Sequence, residues 1–285
     1  MVSAVSRTVE CFYPGNSFPA ISVTGAACSL NCKHCMGKYL TGMVPACSPE
    51  ELVSIADALA ERGARGFLLS GGADRNGKVC LSRYARAVRE IKSTTDLRIN
   101  AHVGLMPRNE LEELVSAGVD SFSVDVYGDE RTIREVLGLN AKPEDYISVI
   151  SDLMDIGASA VAPHICIGIH GGELVGEFDA LQRLSQFAPA LLVLISLVPT
   201  KGTAYEAVRP PGFSELSAVL DAAKHFLPGA KLVLGCMRSK RDRSWEARLV
   251  QAGLDGIVLP SPRTVENLRR EGLTVRKRAE CCALL

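Results

Sequence analysis

The stretch Ala20-Ile21-Ser22-Val23-Thr24-Gly25-Ala26-Ala27-Cys28-Ser29-Leu30-Asn31-Cys32-Lys33-His34-Cys35 decides how the chain is read. Its first five residues form a short apolar, β-branched run bounded by glycine, the pattern of a buried strand. Directly beyond that strand, three cysteines fall within eight residues.

The same strand pattern recurs along the chain. Apolar runs follow at Gly66–Leu69, Leu97–Val103, Ser121–Val126, Ala160–Ile167, Leu191–Val198, Lys231–Leu234 and Gly256–Leu259. Amphipathic helical patterns separate them, at 49–62, 82–94, 108–117, 143–156, 174–187, 213–227, 242–252 and 262–271. Ser48-Pro49-Glu50-Glu51 opens the first with an N-cap serine and a proline at the first helical position. Eight near-continuous apolar strands alternating with helices predict a parallel sheet covered on both faces. At this length the repeat predicts a (β/α)8 TIM-type barrel, complete or nearly so, as one domain over 1–285. A doubly wound open sheet is the alternative, because periodicity does not prove closure. Residues 1–19 read as a lead-in, and 273–285 as a tail that folds over the barrel mouth.

Composition narrows the function classes. The chain has 285 residues, 47% of them apolar, with 32 Lys+Arg against 32 Asp+Glu. Such a balance gives no general drive toward nucleic acid. The balance is uneven along the chain: 229–285 holds 12 basic and 6 acidic residues, which reads as an ordinary solvated surface or, more sharply, as a docking face for an acidic partner. No stretch is apolar for long enough to span a bilayer, and no signal peptide is evident, so a soluble, cytoplasmic protein is expected. Ten cysteines without secretion signals point to metal or redox chemistry rather than to disulfides.

The cysteine loop carries that chemistry. Thiolates are the usual protein ligands of iron–sulfur clusters, and three of them leave one iron of a [4Fe–4S] cubane open to a small molecule. A structural zinc site is the competing reading, but zinc knuckles pair CxxC units with four protein ligands, and the Cys28-to-Cys32 spacing does not fit a knuckle.

Cys28-x-x-x-Cys32-x-x-Cys35 after a first barrel strand resembles the signature of the radical S-adenosylmethionine (SAM) superfamily. The resemblance implies that SAM chelates the open iron and that reduction of the cluster releases a 5′-deoxyadenosyl radical. His34 stands where relatives carry an aromatic residue against the adenine. Ser70-Gly71-Gly72-Ala73-Asp74 matches the glycine-glycine-acid motif, which implies that Gly71 and Gly72 approach the SAM amino group with Asp74 beside it. Asp125 matches the position that holds the ribose, and Gly168-Ile169-His170-Gly171-Gly172-Glu173 matches the turn along the adenine.

The resemblance extends to the biotin synthase-like branch. Leu197-Val198-Pro199-Thr200-Lys201-Gly202-Thr203 and Gly235-Cys236-Met237-Arg238 match loops of that branch. The cysteines that hold a second cluster inside the biotin synthase barrel are not matched; Leu69, Asn100 and His164 stand near those positions, although Arg238 remains. With Cys236, Cys281, Cys282 and Cys11 available for an auxiliary [4Fe–4S] cluster, the chain is most similar to a component of the archaeal-type two-component lipoyl synthases. That likeness implies sulfur insertion into the octanoyl chain of a lipoyl carrier protein, a second radical SAM subunit, and a ferredoxin- or flavodoxin-type reductant. A methylation, a rearrangement or a cofactor-assembly step on the same scaffold is the alternative, and a non-catalytic iron–sulfur or zinc protein the bland one. His102, His164, Lys201 and Arg238 are further candidates to meet SAM or substrate at the rim.

Overall fold

The computed structural model describes residues 7–285. All eight expected strands are present: β2 (Ala20–Ser22), β4 (Gly66–Ser70), β5 (Arg98–His102), β6 (Ser121–Asp125), β7 (Val161–Ile167), β8 (Leu191–Ser196), β9 (Lys231–Leu234) and β10 (Gly256–Val258). Three more were not expected. β1 (Thr8–Phe12) lies in the supposed lead-in, β3 (Val44–Pro45) follows the cysteine loop, and β11 (Thr274–Arg278) lies in the supposed tail.

The strands form one sheet in the order β11-β1-β10-β9-β8-β7-β6-β5-β4-β2-β3, with every neighbouring pair parallel. β11 and β3 are its two outer strands, and no ladder joins them among the described residues. The complete barrel therefore gives way to a curled, open half-barrel. Both edges are built against further pairing: β3 has only two residues, and β11 carries Arg276, Lys277 and Arg278.

Helices cover the outer face: α1 (Pro49–Glu61), α2 (Ala85–Thr94), α3 (Arg108–Ala117), the short α4 (Glu130–Thr132) with its π turn Ile133–Leu137, α5 (Pro143–Asp155), α6 (Glu177–Leu184), α7 (Phe213–Phe226), α8 (Glu246–Ala252) and α9 (Pro262–Arg270). α1 starts as its sequence dictates. The Glu51 N–H donates to Ser48 Oγ at 3.2 Å, Pro49 opens the helix, and the Glu51 carboxylate accepts from the Cys47 N–H at 2.7 Å.

Strand alternation divides the core. Ile21, Leu69, Ile99, Phe122, Ile165 and Leu194 face outward into the sheet–helix layer, and Cys11 joins them. Phe12, Ala162, Val193, Val233 and Val258 face inward. That inner space is filled from the chain's end. The turn Cys282–Leu284 touches β6, β8 and β10 together, so the sheet curls around it. Ser121 Oγ donates to the Ala283 carbonyl at 2.7 Å, and Asn100 and Ser123 exchange hydrogen bonds at 3.0 Å beside it. The tail thus enters the half-barrel, where Cys282, Ala283 and Leu285 join the inner apolar cluster.

Candidate functional site

At the C-terminal ends of the strands lies a cavity of about 470 Å³. Cys28, Cys32, Cys35 and His34 line it from the loop after β2, Gly71 and Gly72 from the loop after β4, and His102, Asp125 and Cys166 from β5, β6 and β7. Thus the residue types singled out in the sequence meet in one place.

The cysteine loop is pinned from both sides. Ser29 N–H donates to the Ala73 carbonyl at 2.8 Å, and Lys33 N–H to the Val136 carbonyl at 2.8 Å. Gly72 N–H donates to Thr24 Oγ1 at 2.7 Å, while Thr24 Oγ1 donates to the Ala27 carbonyl at 2.8 Å. Gly72 has to be glycine: a Cβ there would lie 2.0 Å from the Ala27 oxygen and 2.6 Å from Cys28 Cα.

Ligand atoms of Cys32, His34 and Cys35 lie within 4.8 Å of one another. Cys28 lines the same cavity, its Sγ 3.8 Å from the Ala73 carbonyl, but stands outside that closest group. A hydrogen bond from Cys32 favours the Cys35 thiolate; despite burial, and with His34 assisting, the Cys35 pKa falls to about 4. The same hydrogen bond, together with burial, pushes the Cys32 thiol far up. His34 Nδ1 is buried without a hydrogen-bond partner among the described residues. Three thiols in one cradle, a ready thiolate and a glycine floor fit a cubane cluster held by Cys28, Cys32 and Cys35.

His102 and Asp125 form an ion pair at 3.2 Å, and the His164 ring stacks on His102 at 5.7 Å between centroids. Burial opposes charge on both partners, but their mutual attraction prevails: the His102 pKa is raised and the Asp125 pKa lowered. Burial and then repulsion from His102 bring His164 down to about 4.

Other sequence candidates fall elsewhere. Asp74 Oδ1 accepts from the N–H groups of Asn76 and Lys78 at 2.8 and 3.0 Å, holding its own turn, and Asp74 does not line the cavity. Gly168 has φ +70° and donates its N–H to Glu177 at 2.7 Å; its neighbour Ile169 is the residue that reaches the cavity. His170 contacts Thr132 Oγ1 at 3.1 Å. Arg238 is not a rim cation. It is buried in an ion pair with Glu246 at 2.6 Å and donates to the Gly235 carbonyl at 2.7 Å. Lys201 is exposed and lines no part of the cavity.

The cysteines proposed for a second cluster separate into two groups. Cys11 is contradicted as a member: one residue from inward-facing Phe12, it points into the helix layer on the opposite face of the sheet. Cys236 lines the cavity, Asn100 Nδ2 lies 3.5 Å from Cys281 Sγ, and Cys282 is buried next to it. Cys236 is exposed to the cavity, and the surrounding protein and then the Cys281 charge raise its thiol. A hydrogen bond from Cys282, against burial, lowers Cys281 to about 7.

Several lining residues carry no sequence signal of their own. Tyr127 and Tyr146 meet edge-on at 5.0 Å on one wall, and Tyr39 shares a 3.0 Å hydrogen bond with Thr200 on another.

A family model described as the radical SAM superfamily matches residues 22–181, more than half of the chain. The chain belongs to the radical SAM superfamily. Within this radical SAM chain, the matched segment holds the cysteine loop, Gly71 and Gly72, and the His102–Asp125 pair. The biotin synthase of Parabacteroides distasonis is 27% identical over 203 residues, covering 68% of this chain and 61% of that protein. The biotin synthase of Geobacter metallireducens is 24% identical over 267 residues, covering 90% and 79%. The chain thus spans about 61% of the Parabacteroides relative's length. Two solved structures share the fold. The FeFe-hydrogenase maturase HydG of Carboxydothermus hydrogenoformans superposes with a TM-score of 0.69 at 17% identity, covering 94% of this chain and 67% of that one. Methylornithine synthase (PylB) gives 0.65 at 16% identity, covering 95% and 83%.

Proposed function

We propose that this radical SAM enzyme inserts sulfur into an unactivated aliphatic chain, and that the chain is the octanoyl group of a lipoyl carrier protein. It would act as one component of a lipoyl synthase, beside a second radical SAM subunit and with a ferredoxin- or flavodoxin-type reductant. One observation carries the reading: the chain's end threads the half-barrel, placing Cys281 Sγ 3.5 Å from Asn100 Nδ2 on the inner face, while Cys236 lines the same cavity as the cysteine loop.

Cys28, Cys32 and Cys35 would hold the [4Fe–4S] cluster that binds SAM, and Cys236, Cys281 and Cys282 an auxiliary [4Fe–4S] cluster. When bound, these groups supply a hydrogen-abstracting 5′-deoxyadenosyl radical and a sulfide donor. The protein's own share is positioning and exclusion of water. Leu30, Leu68, Leu137, Leu139, Ile195 and Leu197 line the same cavity, a wall suited to a fatty chain. Asp125 lines the cavity with one carboxylate oxygen paired to His102, and its other oxygen would accept from a hydroxyl donor such as a ribose. Gly71 and Gly72 let backbone approach the SAM amino group. Unlike a methylation or a rearrangement, sulfur insertion gives the inward thiols a role. No helix among the described residues is long and apolar enough to cross a membrane.

The test is incubation of the anaerobically reconstituted protein with SAM, reductant and an octanoyl-lysine peptide, alone and with its second subunit. The reading expects 5′-deoxyadenosine together with a thiol-bearing peptide. 5′-Deoxyadenosine with an unaltered peptide would defeat the sulfur-insertion reading.

A further inference from the structure

A second cleft, of about 680 Å³, opens between the C-terminal ends of β1, β10 and β11 and the helix α9. Its floor is stiff and apolar, from Tyr13, Pro260, Pro262 and Val265. Its rim is basic. Arg269 and Lys277 line it and make no ion pair or side-chain hydrogen bond among the described residues; Lys277 Nζ only overlies the Tyr13 ring, 5.9 Å from its centroid. Arg278 also lines it, sharing the Glu10 carboxylate with Arg276, each at 2.9 Å, and meeting Glu280 at 3.4 Å, so the uncompensated charge of the rim is that of Arg269 and Lys277. The lone acidic lining residue, Glu266, is engaged by Arg270 at 2.6 Å.

We propose that this cleft is where the acidic face of the carrier protein docks. The inference rests on the proposed function, which requires a protein-borne chain to reach the cavity. Free cations around an apolar floor complement acidic side chains flanking an apolar contact. The cleft lies on the same edge of the parallel sheet as the cysteine loop, since both follow C-terminal strand ends. Its residues Lys277, Arg278 and Ala279 lead directly into Glu280, Cys281 and Cys282. A carrier seated there abuts the segment that enters the half-barrel.

The experiment measures binding of an octanoylated lipoyl carrier domain to the reconstituted protein at about 0.05 and 0.5 M salt. Parent, R269E/K277E and the milder R269Q/K277Q variants are compared. The charge reversal is expected to weaken binding roughly tenfold and the neutral pair by a smaller factor, with parent affinity falling as salt rises. Iron content and turnover of the free octanoyl-lysine peptide should stay at the parent level in both variants. Equal affinity in all three proteins, or parent affinity insensitive to salt, would overturn the docking site. Failure of the functional reading is seen separately, as a parent that leaves the free peptide unaltered.

Discussion

His102 Nε2 lies 3.2 Å from Asp125 Oδ2, joining the C-terminal ends of two neighbouring strands at the cavity wall. The pair fixes the cavity-lining Asp125 carboxylate, and it does so with a group whose charge depends on pH.

The sign of that dependence follows from the shifts. His102 is raised above 6.5, so its contribution to stability is full below 6.5 and is lost as pH rises through the raised value. Asp125 is lowered below 3.8, so its contribution is present above 3.8 and is lost as pH falls through the lowered value. The pair is strongest between those limits. An NMR titration of the His102 ring should have its midpoint above 6.5 in the parent. In Asp125→Asn, only the Cys281 charge is left to oppose burial, and the midpoint should fall. An unchanged midpoint would mean that the pair does not form.

Gly72→Ala should disable the cysteine loop without touching a cysteine. The added Cβ meets backbone atoms of Ala27 and Cys28 that have nowhere to move without shifting the loop. A cost of about 1–3 kcal/mol is expected, with reduced iron incorporation at the cysteine loop. Gly229→Ala, where no atom lies within 4 Å, is the control and should stay within about 0.5 kcal/mol. Chemical denaturation and iron analysis of the two variants check both statements.

The Arg238–Glu246 pair is fully buried, so its loss is a matter of stability. Glu246 also accepts from Arg243 at 2.9 Å and from Thr264 Oγ1 at 2.6 Å. Arg238→Met leaves the carboxylate its Arg243 partner and should cost about 3 kcal/mol, the lower end for a broken buried pair. Glu246→Ala strands two guanidinium groups and should cost more. Denaturant midpoints order the two variants, and the reverse order would contradict this network.

The eight central strands were legible because parallel strands buried on both faces are nearly continuous apolar runs, as in Leu191–Ser196. β1 was missed because inward-facing Glu10 interrupts Thr8–Phe12, and that carboxylate finds its partners only in Arg276 and Arg278, far along the chain. β11, Thr274–Arg278, reads as a solvated charged tail because it is an edge strand. Closure was not legible at all, since it depends on pairing between strands distant in sequence. At the site, spacing singled out Cys28, Cys32 and Cys35, and the fold brings all three to one cavity. It did not separate Cys11 from Cys281 and Cys282, a distinction made by strand parity in β1 and by the path of the final five residues.

The most direct measurement is a count of iron and sulfide after anaerobic reconstitution of the parent, of a variant with Cys28, Cys32 and Cys35 changed to alanine, and of Cys11→Ala. The account expects about eight irons in the parent, about four in the triple variant and about eight in Cys11→Ala. A Cys236→Ala, Cys281→Ala, Cys282→Ala triple variant should likewise hold about four and still cleave SAM. A parent holding only about four irons, all lost with the cysteine loop, would contradict the auxiliary cluster and with it sulfur insertion.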